Sequence, residues 1–145
     1  MNTSVLPYAL EEKVYFLSQS TPYPKPTKQV VTKETHMSWV FLTDRHVYKL
    51  KKPVKYDFLD YSTLSARRFY CKEEVRLNRR LAEPVYLGTV PLTVNGSAWL
   101  QLGGKGTVID WLVKMQRLPN ENMLDEAIRV VRPDGALTND DGFRG

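Results

Sequence analysis

Apolar residues recur along this chain with two periods, one typical of helices and one typical of strands. Helical spacing of apolar residues over 5–18 and over 62–82 predicts two helices, of which the second is long. Runs rich in valine, threonine and aromatic residues predict strands before and after the long helix. The predicted strands cover residues 27–35, 38–43, 46–51, 86–94, 97–102 and 107–115.

Proline, glycine and small polar residues punctuate these elements. Prolines break the segment 20–26, which therefore links the first helix to the first strand. Ser62 is the predicted N-cap of the long helix, after a loop over 54–61 whose Phe58 and Leu59 are expected to pack under that helix. Asn95-Gly96 predicts a two-residue type I′ hairpin turn.

The end of the chain changes in texture. A short helix is predicted over 120–131, and the segment 132–145 is polar, rich in glycine and aspartate, and predicted to be a disordered tail. The folded domain is thus expected over 1–131. Consecutive hairpin-like strands with helices packed on them predict an α+β fold with a mainly antiparallel sheet.

Composition is that of a soluble globular protein. The chain has 145 residues, of which 42% are hydrophobic and 26% charged, enough for one domain with a substantial core. No apolar run is long enough for a membrane span, and no secretory signal is evident at the N-terminus, so no membrane partner is expected. A single cysteine, Cys71, is typical of the reducing cytoplasm, which is the expected location.

The formal net charge is +5, and the excess of cations lies mainly in the strand 46–51 and the helix 62–82. Solvated faces explain most of these cations. Nucleic acid is not the expected partner, because the sequence shows no clear interleaving of aromatic residues with the cations.

The strand 46–51 carries the candidate chemistry. Lys49, Lys51 and Val47 share one of its faces, because alternate residues of a strand point the same way. The pattern alone favours an ordinary strand with a solvated basic face. The sharper alternative is that one lysine binds phosphate while a glutamate of the next helix, Glu73 or Glu74, holds it in place.

The stretch ETHMSWVFLTDRHVYKLKKPVKYDFLDYSTLSARRFYCKEEVRLNRRLAEPVYLGTVPL, followed by WLVKMQRLP, resembles a known family. It is similar to the N-terminal lobe of the protein-kinase-like aminoglycoside phosphotransferases, in the bacterial branch often fused to a P-loop ATPase domain. The resemblance covers about residues 5–130 and implies a kinase-like N-lobe fold.

The resemblance also implies roles for individual residues in binding ATP. Lys49, with Lys51 as the alternative, would contact the phosphates, and Glu74 would pair with that lysine. The loop over the phosphates lacks glycines, so the hydroxyls of Thr35 and Ser38 would serve there. The adenine would meet Val47 and a hinge formed by Met115, Gln116 and Arg117.

The family's catalytic HGD-type loop and later metal-binding aspartate have no counterpart here, and His36 and His46 lack metal-ligand spacing. The resemblance therefore implies a truncated or split small-molecule kinase lobe with a partial ATP site, not catalytic alone. Mg²⁺ is expected only with a complete C-terminal lobe. The expected partners are nucleotide and either a separately encoded C-lobe or a second copy. The alternative is a non-enzymatic binding module for a protein or a nucleic acid.

Overall fold

A computed structural model describes residues 8–24, 27–82, 85–119, 123, 129–131 and 137–139. These residues form two helices and ten strands. In chain order the elements are α1 Leu10–Leu17, β1 Val31–Glu34, β2 Ser38–Leu42, β3 His46–Lys51, β4 Lys55–Tyr56, β5 Leu59–Asp60, α2 Leu64–Ala82, β6 Tyr86–Val94, β7 Leu100–Leu102, β8 Thr107–Gln116, β9 Arg129–Val131 and β10 Leu137–Asn139.

Six strands form one curled sheet in the order β1-β2-β3-β8-β6-β7, and every pairing in it is antiparallel. The predicted α+β class and the mainly antiparallel sheet are confirmed. The strand β8 lies in the middle, so β3 pairs with a strand that follows it by more than 50 residues. Two-stranded pairs β4–β5 and β9–β10 lie apart from this sheet.

The two helices contribute to hydrophobic clusters on opposite faces of the sheet, because successive strand residues point to opposite sides. On one face, α2 packs against β6 and β8, and the cluster there includes Val40, Val47, Cys71, Val75, Val113 and Met115. On the other face, α1 contributes to a cluster with Leu17, Phe41, Tyr48, Leu50 and Leu112. No helix among the described residues has the length and apolar character that a bilayer crossing requires.

The long helix begins one residue later than an N-cap at Ser62 predicts. Its first residue is Leu64, and the hydroxyl of Thr63 accepts a hydrogen bond from the Ala66 amide at 3.1 Å, which makes Thr63 the N-cap. Ser62 instead donates to the Asp60 carboxylate. The prediction of Ser62 was wrong because two consecutive hydroxyl residues compete for one role, and the neighbouring aspartate engages the first.

The hairpin between β6 and β7 is also different from the prediction. The Asn95 amide bonds to the Trp99 carbonyl at 3.0 Å, which encloses three residues rather than two. Ala98 has a φ of 65°, whereas Gly96 does not adopt the positive φ that a type I′ turn requires. The Asn95 side chain accepts bonds from two amides inside the loop and so stabilises the longer turn.

The segment predicted as a loop over 54–61 contains the short hairpin β4–β5. Leu59 is buried as expected, but Phe58 is 57% exposed and stacks on Tyr56. Phe58 lies in the turn between β4 and β5, whereas Leu59 begins β5 and faces inward. The predicted loop over 103–106 does link β7 to β8, and Gly103 and Gly104 take the positive φ that glycine permits.

Several predictions fall wholly or partly outside the described residues. The start of the first predicted helix, at residues 5–7, lies outside them, as does most of the helix predicted over 120–131. The end of that helix is instead strand β9, which pairs with β10. The strand β10 lies inside the segment for which disorder is predicted, and the remainder of 132–145 lies outside the described residues. Valine-rich sequence at 130–131 favours a strand once a partner strand is available.

Candidate functional site

The two lysines of β3 project between the sheet and α2. Cross-strand pairing places Lys49 opposite Val40 and Lys51 opposite Ser38, on the face that α2 covers. Both lysines are 1% exposed. The ordinary interpretation of β3, a strand with a solvated basic face, is therefore wrong, because α2 encloses that face.

Glu74 of α2 binds both lysines. Its Oε2 lies 3.1 Å from Lys49 Nζ and its Oε1 lies 2.6 Å from Lys51 Nζ. The carboxylate itself is 0% exposed. We call Lys49, Lys51 and Glu74 the lysine site. The sequence left open which lysine would meet the glutamate, and the structure brings both to it.

The attraction between opposite charges in the lysine site has a larger effect on the pKa values of Glu74 and Lys51 than desolvation has. Burial alone would raise the pKa of Glu74, but the charges of Lys49 and Lys51 bring that pKa below its ordinary range. Burial would likewise lower the pKa of Lys51, and the Glu74 carboxylate raises it above its ordinary value. Glu74 and Lys51 are thus held in their charged forms.

Glu73 does not belong to the lysine site. Its side chain is partly exposed and forms a bidentate hydrogen-bonded pair with Arg76, three residues further along α2. The alternative assignment of Glu73 as the partner of the strand lysine is therefore wrong. A helical turn places adjacent residues about 100° apart, so only one of the two glutamates can face the sheet.

A third hydrophobic cluster closes the Lys51 end of the lysine site. It contains Met37 from the turn between β1 and β2, with Leu59 and Tyr61 from the hairpin segment. The Tyr61 ring lies 5.0 Å from Lys51 Nζ, close enough for a cation–π contact. Burial raises the pKa of Tyr61 to about 12, so its hydroxyl is neutral at physiological pH.

The predicted phosphate-loop hydroxyls differ in their surroundings. The Thr35 hydroxyl is engaged inside its turn, where it accepts bonds from the amides of Met37 and Ser38. The Ser38 hydroxyl is buried and has no hydrogen-bond partner among the described residues, and the same is true of the Tyr61 hydroxyl. Both residues are neighbours of Lys51. Ser38 pairs with Lys51 across β2 and β3, and the Tyr61 ring lies against the Lys51 ammonium group.

The residues assigned to the adenine lie together at the other end of β3. Val47 pairs with Met115 across β3 and β8, and both side chains are fully buried. The amide of Gln116 donates to Val85 O, and the amide of Arg117 donates to Arg45 O. A nucleotide base that used these two amides would have to displace those bonds.

A second buried ionic cluster was missed by the sequence analysis. Asp110 of β8 is fully buried and binds Lys13 of α1 and Arg67 of α2, each at 2.9 Å. Arg67 also donates to the Tyr61 carbonyl at 2.9 Å. We call Lys13, Arg67 and Asp110 the Asp110 network. A lone aspartate inside the apolar run TVIDWLVKM was the available signal, because an unpaired buried carboxylate is too costly to occur.

Metal-binding groups do not cluster in the described part of the chain, where no three histidine, cysteine, aspartate or glutamate side chains are placed to share an ion. Cys71 belongs to α2 and is buried against the sheet, and that burial raises the pKa of its thiol to about 12. A thiol with so high a pKa is a poor nucleophile.

No protein-family model and no solved structure matches this chain. Proteins described as uncharacterized, one from Mycobacterium bovis and two from strains of Mycobacterium tuberculosis, are 43% identical to it over 61 residues. The match covers 42% of this chain but 12% of each relative, so the chain spans a small part of their length.

Proposed function

We propose that this chain is a kinase-type N-lobe, similar to that of the aminoglycoside phosphotransferases, and that it holds the phosphate-binding half of an ATP site. One observation carries the proposal: a glutamate of the helix after β3 binds the lysines of β3 directly. A lysine fixed by a helical carboxylate is the arrangement that positions an ammonium group on the phosphates of ATP in kinases.

The donors of the lysine site support an anionic ligand. Two lysines bind one carboxylate in a region withdrawn from water. A phosphate oxygen would accept further charge-assisted hydrogen bonds from their ammonium groups. Lys49 and Lys51 are equivalent in this respect.

Transfer of the γ-phosphoryl group needs more than this site contains. A carboxylate must orient the acceptor hydroxyl and others must hold Mg²⁺. The one carboxylate of the lysine site is already engaged by two lysines. We therefore assign this chain a role in binding nucleotide, with catalysis dependent on a second lobe supplied in the same assembly.

A second candidate function is that of a binding module for a polyanion. The outer face of α2 carries cations at every fourth position, namely Arg68, Lys72, Arg76 and Arg80, and all are exposed. Two of them lie over the Trp111 ring, which restrains their side chains before any ligand binds. Phe69 is exposed beside them and offers an aromatic surface. The enclosure of the lysine site also favours this function, because the enclosed lysines do not face solvent.

Calorimetric titration with ATP tests the first function. We expect Lys49→Met or Lys51→Met to weaken binding about 10- to 100-fold, as the loss of a charge-assisted hydrogen bond predicts. Lys105→Met is the matched control, because Lys105 is exposed in the loop between β7 and β8 and should leave the affinity unchanged. Equal affinities in all of these variants would remove the proposed role of the lysine site.

The same calorimetric experiment, repeated with a single-stranded oligonucleotide, separates the two functions. A steeply salt-dependent affinity that falls in Arg68→Ala and Lys72→Ala, together with no ATP binding, would establish the polyanion-binding module instead. ATP binding that is insensitive to those two substitutions would favour the nucleotide site.

A further inference from the structure

The lysine site is closed, although its proposed ligand is large. Lys49, Lys51 and Glu74 are each almost fully withdrawn from solvent. A triphosphate cannot contact an ammonium group that solvent does not reach. If the site binds phosphate, part of its enclosure must move.

The enclosing residues come from different parts of the structure. The sheet and α2 form its two sides, and they share a large apolar cluster with Val40, Val47 and Val75. The Lys51 end is closed by Leu59 and Tyr61, which belong to the hairpin segment between β3 and α2. We call Leu59 and Tyr61 the cover.

The hairpin segment is the weakest part of this enclosure. Its strands β4 and β5 have two residues each and pair only with each other. Residues 55–58 are all exposed, so only the cover side of the hairpin is packed. A two-stranded hairpin with so little burial has little stability of its own.

Besides the contact of the Tyr61 ring with the Tyr70 ring of α2, whose centroids are 5.3 Å apart, a hydrogen bond from one side chain fastens the cover to the rest of the fold. The Nη1 atom of Arg67 donates to the Tyr61 carbonyl at 2.9 Å, while its Nε atom donates to Asp110 at the same distance. Asp110 is held in turn by Lys13 of α1 and by the Trp111 amide. Arg67 thus connects the cover to a buried carboxylate of the central strand β8.

We propose that Leu59 and Tyr61 are a movable cover over the lysine site, and that Arg67, anchored on Asp110, holds this cover closed. The ligand admitted by opening is the triphosphate of a nucleotide, and that part of the inference rests on the proposed function. The movement of the cover itself does not depend on the identity of the ligand.

The test compares two substitutions in the Asp110 network. Arg67→Met removes the bond to the Tyr61 carbonyl and leaves Asp110 paired with Lys13. Lys13→Met is the matched control, because it removes an equally buried cation from Asp110 and leaves the Arg67–Tyr61 bond intact. The free energy of unfolding of each variant is measured first, so that global unfolding is accounted for.

Two measurements report on the cover. Native-state hydrogen exchange follows the Tyr61 amide, which donates to the Val54 carbonyl in the closed form. Mass spectrometry follows the rate at which an acylating reagent modifies Lys51. We expect both rates to rise at least about tenfold in Arg67→Met relative to Lys13→Met. Equal rates in the two variants would overturn the proposal.

ATP titration of the same variants distinguishes the two proposals. If the cover limits binding, Arg67→Met binds ATP more tightly in proportion to its open fraction. Faster exchange and acylation without any ATP binding would support the movable cover and contradict the proposed nucleotide site. Leu59→Ala loosens the cover without touching a buried charge, and it gives the same comparison should Arg67→Met fail to fold.

Discussion

At the scale of single residues, two buried carboxylates hold two cations each. Glu74 binds Lys49 and Lys51, and Asp110 binds Lys13 and Arg67. Removal of one partner from a buried ionic cluster is far more costly than removal of a surface pair, because the remaining charges keep their desolvation cost. Substitution of either carboxylate is therefore expected to be strongly destabilising.

Substitution of Glu74→Gln tests this sensitivity and its dependence on pH. At pH 7 we expect a loss of about 3–5 kcal/mol in the free energy of unfolding, because the two buried lysines lose the carboxylate that binds them both. The pKa of Glu74 is below its ordinary value of 4.5 in the folded chain, so the unfolded chain takes up a proton first as the pH falls. The contribution of Glu74 is complete above that ordinary value and disappears as the pH falls through the lower, folded value.

Denaturant unfolding of the wild type and the variant from pH 7 to pH 2 measures this difference. The two stabilities should converge only in the acid range. Glu73→Gln is the control, because this adjacent glutamate pairs with Arg76 at the surface and should cost about 1 kcal/mol or less. A cost for Glu73→Gln as large as that for Glu74→Gln would contradict the assignment of the buried partner.

At the scale of elements, the lysine site depends on α2, whose first turn is capped by Thr63. This helix carries Glu74 to β3. We expect Thr63→Ala to lower the free energy of unfolding by about 1 kcal/mol. Ser62→Ala should change it by less than about 0.5 kcal/mol, since Ser62 bonds only to Asp60 at the surface. Thermal or denaturant unfolding that ranks these two in the opposite order would restore Ser62 as the cap.

Much at this scale was predictable because periodicity is local. The strand β3 was expected over exactly the residues that form it, and β6 likewise, since β-branched and aromatic residues are bounded there by turn residues. Strand alternation placed both lysines on one face. The helical glutamate that meets them followed from the resemblance of the stretch to kinase-type lobes.

The remainder depends on contacts distant in sequence. The burial of Lys49 and Lys51 requires α2 to pack over β3, and a polar pattern in one strand does not report which element covers it. The Asp110 network joins residues separated by 43 and 97 positions, so no local pattern announces it. The extended hairpin loop at Asn95 was missed because its side chain, rather than the adjacent glycine, determines the turn.

At the scale of the whole molecule, the sheet order places the two buried ionic clusters near each other. The strand β8 pairs with β3 along Leu112 to Gln116, and Asp110 lies just before this paired stretch. The Asp110 network therefore sits near the end of β3 that carries Lys51, and it joins one residue of α1 and one of α2 to β8. The fold thus places one buried cluster beside the other and connects them through Arg67 and Tyr61.

The most direct test of the nucleotide-binding proposal is a crystal structure of this chain grown with ATP and Mg²⁺, using Arg67→Met if the cover excludes the ligand. We predict that a phosphate oxygen lies within hydrogen-bond distance of the ammonium group of Lys49 or Lys51, with Glu74 still bound to at least one of them. Nucleotide bound elsewhere, or a lysine site that stays closed and empty in both proteins at saturating ATP, would contradict the account.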